Sequence, residues 1–346
     1  MNHNPIWSRT IITGTFAACG LITPAAHADN QYEIEISGIV EIQASGGRAI
    51  NGAANSDITL ATVEIALDSV ITDHVSTHLL LLHEENGRRL EIDEGTITLS
   101  HLGDLPIAMT AGQMYLPFGS FESHLVSDPL TLEIGETRES VIQFGTTIGN
   151  AYGAIYSFKG ETSQQGKSGR VKGFGASIRL TIENKGFTLD TGISYLSNMA
   201  ETNTLEDAVA DTENLIDAPG GIGLHAIVRS GPLTVISEYI GAHHHFDAAN
   251  LTFNGNPAKP AAYNIEAGYE LLLFGKEATV ALAIQGSSEA QSLGLPESRL
   301  LGGVSVNIRE QTSLSFEWAR SDDYDSADGD TGLSTKLYTA LIAVEF

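Results

Sequence analysis

The side chains with the chemistry to bind or convert a ligand are concentrated in a few short segments. Residues 117–137 contain four carboxylates and an arginine follows them directly: Glu122, Asp128, Glu133, Glu136 and Arg138. Charged groups that meet in a narrow passage select among ions and solutes. These five residues are therefore our candidates for lining a constriction or a substrate site.

A run of three histidines, His243-His244-His245, is the main candidate for a metal site. Successive side chains on a strand point to opposite faces, so only His243 and His245 can share a side. Zinc and iron sites need three or four converging ligands, and Asp247 or His225 could complete one only if the fold brings them close. We expect a solvated strand end, with a metal-binding pair as the alternative.

Two further segments, residues 201–217 and 322–330, are strongly acidic and contain no lysine or arginine. Clustered carboxylates can bind Ca²⁺ or Mg²⁺, but neither segment has the spacing of an EF-hand loop. A solvated loop is the favoured interpretation, with divalent-cation binding as the alternative. At the mouth of a channel, such loops would attract cations and repel anions.

Composition and missing motifs exclude several classes of function. The chain has 18 Lys+Arg against 43 Asp+Glu and a formal net charge of −25, whereas a nucleic-acid binder needs a basic surface. Its single cysteine excludes a disulfide scaffold. The sequence lacks a Gly-x-Ser-x-Gly motif and a glycine-rich phosphate loop between a strand and a helix. We therefore predict no catalytic residues and no cofactor.

Alternation of polar and apolar residues predicts the elements that position these groups. In the first such stretch Ile34, Ile36 and Val40 share one face of a strand while glutamates occupy the other. Stretches of about ten residues like this one recur between Gly, Asn, Asp and Pro. We predict sixteen strands at residues 31–43, 57–69, 73–84, 91–100, 105–116, 138–148, 151–160, 171–183, 186–197, 221–230, 232–244, 261–273, 276–286, 298–308, 311–320 and 334–346. Fourteen or eighteen strands would also fit the pattern.

The connections between these strands alternate between short and long. Long ones fall at residues 44–56, 117–137, 161–170, 198–220, 245–260, 287–297 and 321–333. Short periplasmic turns, long external loops and an even strand number are typical of bacterial outer-membrane barrels, whereas a soluble sandwich has no reason to sort its loops by side. We therefore predict an all-β fold, a transmembrane antiparallel β-barrel of about 16 strands.

The first 28 residues have the features of a secretory signal peptide. Arg9 precedes the apolar stretch Ile11–Ile22, and Ala26-His27-Ala28 fits a cleavage site before Asp29. A lipoprotein signal ending at Cys19 is disfavoured, because the apolar stretch before it would be very short. We predict two regions, a cleaved signal peptide at 1–28 and an outer-membrane β-barrel at 29–346.

Residues 117–137 are too apolar for a free surface loop. Seven of their side chains call for burial: Phe118, Phe121, Leu125, Val126, Leu130, Leu132 and Ile134. We predict that this loop folds into the barrel and narrows it. The alternative is a loop that packs over neighbouring strands and covers the rim.

Five segments of the chain carry a resemblance to a known family: SDITLATVE at 56–64, DEGTITL at 93–99, AGQMYLPFG at 111–119, FESH at 121–124 and SDPLTLEIGETRE at 127–139. Together they resemble the LbtU-type family of outer-membrane siderophore porins, most closely over residues 56–160. The resemblance implies a barrel of roughly sixteen strands that brings a ferric siderophore across the outer membrane without a plug. Plugged, energised transporters need about 22 strands, which residues 29–346 cannot supply.

The expected function is a passive outer-membrane channel of a Gram-negative bacterium for ferric siderophores or similar small solutes. The alternatives are a porin for ions and small metabolites, and a closed barrel acting as a surface enzyme or adhesin. Expected partners are outer-membrane lipid and lipopolysaccharide, the barrel-assembly machinery that reads an aromatic C-terminus such as Phe346, and further copies in a homo-oligomer. Candidates for positive charge in the lumen are Arg138, Arg170, Lys172 and Arg179.

Overall fold

The computed structural model describes residues 33–48, 54–85, 90–102, 106–164 and 170–346. The predicted signal peptide 1–28 lies outside these residues. In chain order the strands are β1 (Glu33–Arg48), β2 (Ala54–Thr72), β3 (Val75–His83), β4 (Glu91–Leu99), β5 (Ile107–Tyr115), β6 (Arg138–Ile148), β7 (Ala151–Phe158), β8 (Gly173–Asn184), β9 (Phe187–Leu196), β10 (Gly221–Ser230), β11 (Leu233–Ala242), β12 (Thr252–Phe253), β13 (Asn256–Pro257), β14 (Ala261–Leu273), β15 (Lys276–Ser288), β16 (Ser298–Arg309), β17 (Thr312–Asp322) and β18 (Ser334–Glu345).

Sixteen of these strands form one closed antiparallel barrel, in which each strand pairs with its neighbours in the sequence. The barrel closes where β1 pairs with β18, and Gly38 and Phe346 exchange backbone hydrogen bonds of 3.0 Å beside this seam. Closure removes both sheet edges, so no barrel strand is left with a row of unpaired backbone groups. The predicted fold class and strand number are confirmed. The two-residue strands β12 and β13 form a separate hairpin.

The two faces of the barrel wall differ in polarity. On β14, Glu266 is 1% exposed on the inner face, whereas its neighbour Ile265 is 51% exposed on the outer face. Large apolar side chains occupy outward positions on many strands, including Ile36, Ile142, Ile178, Leu282 and Phe316. The molecule thus places apolar groups outside and carboxylates inside, the reverse of a water-soluble sheet protein.

The connections lie at two ends of the barrel, as predicted. We call the end with turns such as 149–150 and 274–275 the short-turn end, and the other the long-loop end. One predicted connection, 44–56, is largely wrong, because β1 continues to Arg48 and β2 begins at Ala54. Gly46 and Gly47 suggest a turn in the sequence, but both are paired within the sheet, Gly47 with Asn55 and Leu337.

Two short helices lie in the long loops and were not predicted. Helix α1 (Leu130–Gly135) belongs to the loop between β5 and β6, and helix α2 (Asn203–Ala208) to the loop between β9 and β10. Each is about one and a half turns long, too short for the periodicity of a helix to stand out in the sequence. None of the helices in the described residues has the length and apolar character needed to cross a membrane.

The main apolar core lies inside the barrel toward the long-loop end. Phe118, Leu130 and Ile134 from the loop between β5 and β6 are buried there, together with Leu205 of α2 and Ile240 of β11. The predicted burial of the apolar side chains of 117–137 is confirmed for five of the seven, and Phe121 and Leu125 are partly buried. Long loops therefore pack together within the barrel.

Glycines on β8 make room for aromatic rings on the inner face of β7. Gly175 pairs with Tyr156 and Gly173 with Phe158, and a Cβ at either glycine would collide with the ring of its partner. Such close packing requires a residue without a side chain. It accounts for part of the high glycine content of the strands.

Candidate functional site

The loop at residues 117–137 crosses the interior of the barrel. It leaves β5 and returns to the neighbouring strand β6, yet its contacts lie on the far wall. Gly119 N donates a hydrogen bond to Ser194 Oγ on β9 (3.1 Å), and Arg299 Nη1 on β16 donates one to the carbonyl oxygen of Asp128 (3.3 Å). Because β16 lies seven strands from β5 around the sixteen-strand barrel, the segment spans the interior, and we call it the lumen loop.

Three inner-face glutamates hold the lumen loop, and the first is Glu238 on β11. Its carboxylate accepts hydrogen bonds from Ser120 N (2.5 Å), Phe121 N (3.1 Å) and Thr131 Oγ1 (2.7 Å). A carboxylate accepts bonds at both oxygens, and bonds to an ionised group are stronger than those between neutral groups. Glu238 therefore fixes both the start of the loop and helix α1.

The second and third glutamates repeat this arrangement. Glu266 on β14 accepts from Ser123 Oγ (2.7 Å), His124 N (2.6 Å) and His124 Nδ1 (2.9 Å). On β17, Glu317 accepts from the amides of Val126 (2.7 Å) and Ser127 (3.0 Å) and from the Ser127 hydroxyl.

We call Glu238, Glu266 and Glu317 together the glutamate clasp. Its three carboxylates meet the loop at intervals of three residues. The loop lies along the inner wall with its backbone amides turned toward that wall. The opposite side of the loop is turned toward β1 to β4.

Backbone geometry at the start of the loop is unusual. Phe121 has φ of 56° and Gly119 has φ of 101°, both in the left-handed region. For a bulky residue such as Phe121 this conformation costs on the order of 1–3 kcal/mol. The bonds to Glu238 offset that cost, so the carboxylate selects a conformation that the isolated segment would not adopt.

Two ionic contacts add to the clasp. Glu122 forms an ion pair with Arg229 on β10. The hydrogen bond from His124 to Glu266 raises the pKa of the His124 imidazole, and the negative charge of Glu266 acts in the same direction while burial opposes it. The protonated, positively charged form of His124 is therefore favoured beside the clasp.

The predicted site residues of the loop all lie within the barrel, but in different surroundings. Glu122 is partly exposed, Asp128 is buried under the loop, and Glu133 on α1 is partly exposed near Arg299. Glu136 is buried and accepts a hydrogen bond from Asn203 Nδ2 of α2 (2.6 Å). The loop carboxylates thus do not form one ring.

Arg138 does not join the loop carboxylates. It lies in the outer-face series of β6 with Ile142, and its guanidinium is bonded to Asp93 on β4 and lies 3.5 Å from Glu91. We grouped Arg138 with the loop because the two are adjacent in the sequence. In the structure Arg138 is the first residue of β6, and the alternation of side chains along a strand places it on the outer face.

The histidine run does not gather metal ligands. It follows β11 rather than belonging to it, so strand alternation does not set the directions of its side chains. Instead His243 Nδ1 lies 2.7 Å from His244 Nδ1, and His244 Nε2 lies 3.1 Å from Asp217. Among the described residues there is no group of three or more side chains that could hold a metal ion.

His225 and Arg179 belong to a separate cluster on the inner wall. Asp190 on β9 binds Arg179 in an ion pair of 2.5 Å and lies 3.3 Å from His225 Nε2. Among the other candidates for positive charge, Arg170 and Lys172 line a cavity of about 170 Å³ beside the loop between β7 and β8. Of the four candidates, Arg179 alone is on the inner face of a barrel strand.

Residues of both acidic segments tie long loops together. Glu201 accepts hydrogen bonds from Glu161 N (2.8 Å), Thr162 N (3.1 Å) and Thr162 Oγ1 (2.5 Å), and so ties together two long loops. Burial raises the pKa of Glu201, although these bonds pull it down. In the segment 322–330, Asp328 accepts a hydrogen bond from Asn254.

The glutamate clasp was missed by sequence reasoning, although the sequence contains its signal. Carboxylates at alternate positions within otherwise apolar strands need a polar surrounding, and Glu238, Glu266 and Glu317 are such residues. Which of them meet one loop depends on pairing between distant strands. That information is not local to any strand.

No family model matches this chain. It is 27% identical to a UPF0422 protein of Coxiella burnetii over 300 residues, which cover 84% of this chain and 64% of the relative. With a UPF0422 protein of Legionella pneumophila strain Philadelphia 1 it is 25% identical over 321 residues, or 85% of this chain and 60% of the relative. The chain thus spans about three fifths of the length of these curated relatives.

Solved structures of porins have the same fold. An anion-selective porin from Comamonas acidovorans superposes with a TM-score of 0.63 at 14% identity, covering 91% of this chain and all of that one. The outer membrane channel DcaP of Acinetobacter baumannii gives 0.61 at 13% identity, covering 93% and 99%. At these identities the likeness establishes the barrel architecture.

Proposed function

We propose that this protein is an outer-membrane porin, a channel through which small solutes diffuse. The observation that carries the proposal is the lumen loop, which is fixed across the inside of a closed, externally apolar barrel. A barrel that served only as a scaffold would not need an interior loop held by three buried carboxylates.

The outer surface supports a place in a membrane. Exposed isoleucine, leucine and phenylalanine side chains surround the barrel, and in water so large an apolar surface would cause aggregation. Hydrocarbon requires every backbone N–H and C=O to be paired, which the closed barrel achieves. By analogy with barrels of this kind, the short-turn end faces the periplasm and the long-loop end faces outward.

The mechanism is passage without a chemical step. Solutes enter at the long-loop end, pass between the lumen loop and the wall of β1 to β4, and leave at the short-turn end. Glu122 and Glu133 are the loop residues we assign to the passage, since both are partly exposed. Asp128 and Glu136 act indirectly by holding the loop in place.

Ferric siderophores are the proposed cargo. Support comes from the resemblance described above, in which two of the five segments, 121–124 and 127–139, include most of the lumen loop. Part of the resemblance to siderophore porins therefore falls on residues that we assign to the passage.

Planar-bilayer recording tests both the channel function and the proposed cargo. Residues 29–346 are refolded and inserted, and conductance is measured while ferric and iron-free siderophores of trihydroxamate, catecholate and polycarboxylate type are added. We expect steady channels that one ferric form blocks saturably at about micromolar concentration. Channels indifferent to every ferric form would refute the cargo and leave a general porin. Absence of conductance in correctly folded protein would refute the channel and favour a closed surface barrel.

The partners that we propose follow from the placement of the barrel in the outer membrane. Lipid and lipopolysaccharide contact the apolar outer face, and the barrel-assembly machinery inserts the chain. Cross-linking in native membranes would distinguish a homo-oligomer from a monomer.

A further inference from the structure

The segment that joins β7 to β8 is basic, although the chain as a whole is strongly acidic. Against a single acidic residue, Glu161, it contains three basic residues within the described part of the chain: Lys159, Arg170 and Lys172. All three are exposed. Lys159 directly follows β7 and Lys172 directly precedes β8, and the two strands are paired up to these ends, so the lysines leave the sheet side by side. We call Lys159, Arg170 and Lys172 the basic rim.

The basic rim lines the cavity of about 170 Å³ between this segment and the loop that joins β9 to β10. The cavity has roughly ten times the space that one water molecule requires. Its one carboxylate, that of Glu201, is buried and accepts hydrogen bonds from Thr162 Oγ1 (2.5 Å) and Asn198 Nδ2 (3.0 Å). Lys159 and Arg170 form no ion pair with a carboxylate of the described residues. The excess charge at the cavity is therefore positive.

The outer face of β8 gives the height of this cavity in the membrane. Phe174 lines the cavity, and its ring centroid lies 6.1 Å from that of Tyr195, on the outer face of β9. Below Phe174 the outward side chains of β8 are Ala176, Ile178, Leu180 and Ile182. From Phe174 to Asn184, at the short-turn end, the tilted strand rises roughly 25 Å, which is the height of the apolar band of an outer-membrane barrel.

The outer wall thus presents three layers in order: positive charge, aromatic rings and aliphatic side chains. A phospholipid or glycolipid has the complementary order of phosphate, interface and acyl chains. Guanidinium and ammonium groups both bind phosphate. Because the long-loop end is proposed to face outward, the lipid at this height is lipopolysaccharide, whose lipid A portion carries phosphate groups.

We propose that the basic rim binds the phosphate groups of a lipopolysaccharide molecule, whose acyl chains lie against Phe174 and the aliphatic side chains of β8. This inference rests on the proposed placement in the outer membrane and adds a defined lipid site to it. The site lies on the outside of the barrel, so it is separate from the passage for solutes.

The first test is binding of diphosphoryl lipid A to refolded residues 29–346 in detergent, measured by native mass spectrometry. Each basic residue near an anionic lipid surface contributes roughly fivefold to binding. We therefore expect K159Q/R170Q/K172Q to bind lipid A at least about tenfold more weakly than the unmodified barrel. All three positions are exposed, so the variant should fold, which its mobility on a gel confirms.

The matched control is K185Q/K276Q/R309Q, which removes the same charge from exposed positions at the short-turn end. It should bind lipid A as the unmodified barrel does. Equal weakening in the two triple variants would show a general effect of charge and overturn the inference, as would equal binding of lipid A by the basic-rim variant and the unmodified barrel.

The second test identifies which part of the lipid is recognised. Dephosphorylated lipid A should bind more weakly than the diphosphoryl form, and inorganic phosphate at equal concentration should not displace the lipid. Equal binding of the two lipid forms, or displacement by inorganic phosphate, would overturn the assignment. These measurements use no current. Conducting channels without selective lipid binding would therefore refute this site alone, whereas absence of conductance would refute the channel function alone.

Discussion

Replacement of Glu266 by alanine should release the middle of the lumen loop. The side chain accepts three hydrogen bonds, at 2.6 to 2.9 Å, from Ser123 and His124. A hydrogen bond to a charged group contributes roughly 1.5–3 kcal/mol, so the three together stabilise the attached loop by about 4.5–9 kcal/mol if they add. Water from the lumen can reach the freed donors, which favours the lower half of that range. Glu238 and Glu317 continue to hold the two ends.

Hydrogen exchange of the loop amides in the detergent-solubilised barrel measures this release. Loss of the bond to His124 N alone predicts exchange at that amide faster by about 10- to 100-fold. Bilayer recordings of the same variant should show larger and noisier currents, because the loop fluctuates in the passage.

Glu270 provides the matched control on the same strand. It lies four residues further along β14 toward the short-turn end and is exposed. Glu270→Ala should leave loop exchange and current unchanged. If Glu266→Ala and Glu270→Ala give equal exchange at His124, the clasp does not hold the loop and the reasoning fails.

Three further predictions concern the lumen and its wall. The hydrogen bond to Glu266 raises the pKa of His124 above its ordinary value of 6.5, so the stabilising charge is fully present below that value and is lost as pH rises through the folded-state pKa. The protection of the loop amides, taken relative to their intrinsic exchange rates, should therefore fall as pH rises above about 6.5 in the wild type and vary less in His124→Gln. Arg229→Gln leaves Glu122 without its ion pair. The reversal potential under a potassium chloride gradient should then shift toward greater permeability to potassium than in the wild type, and an unchanged value would contradict the pairing. Gly175→Ala places a methyl group against the ring of Tyr156. The free energy of unfolding should fall by about 1–3 kcal/mol, measured by urea titration in which the folded fraction is read from its mobility shift on a gel.

The architecture of this protein follows closely from local sequence. Alternation of polar and apolar residues with period two identified the strands. The regular alternation of short and long connections distinguished a barrel from a sandwich. The error at 44–56 has a local cause, because two glycines that fit a turn are instead paired on both sides within the sheet. Composition cannot distinguish a glycine that turns the chain from one that accommodates a close neighbour.

The functional residues were predictable only in part. Apolar content placed the lumen loop inside the barrel, because its side chains needed burial that a surface position cannot give. Its partners Glu238, Glu266 and Glu317 lie more than a hundred residues away, so their convergence depends on barrel closure. Arg138 shows the opposite error, in which adjacency in sequence was mistaken for proximity in the lumen.

The central claim is that solutes pass between the lumen loop and the wall of β1 to β4. Two adjacent residues of β4 test it: Thr96 is on the inner face, and Ile97 is 54% exposed on the outer face. Residues 29–346 contain no cysteine, so Thr96→Cys and Ile97→Cys each introduce a single thiol. A cationic methanethiosulfonate reagent added during single-channel recording should reduce the current of Thr96→Cys and leave that of Ile97→Cys unchanged. Equal responses of the two variants, or a response of Ile97→Cys alone, would contradict the proposed path.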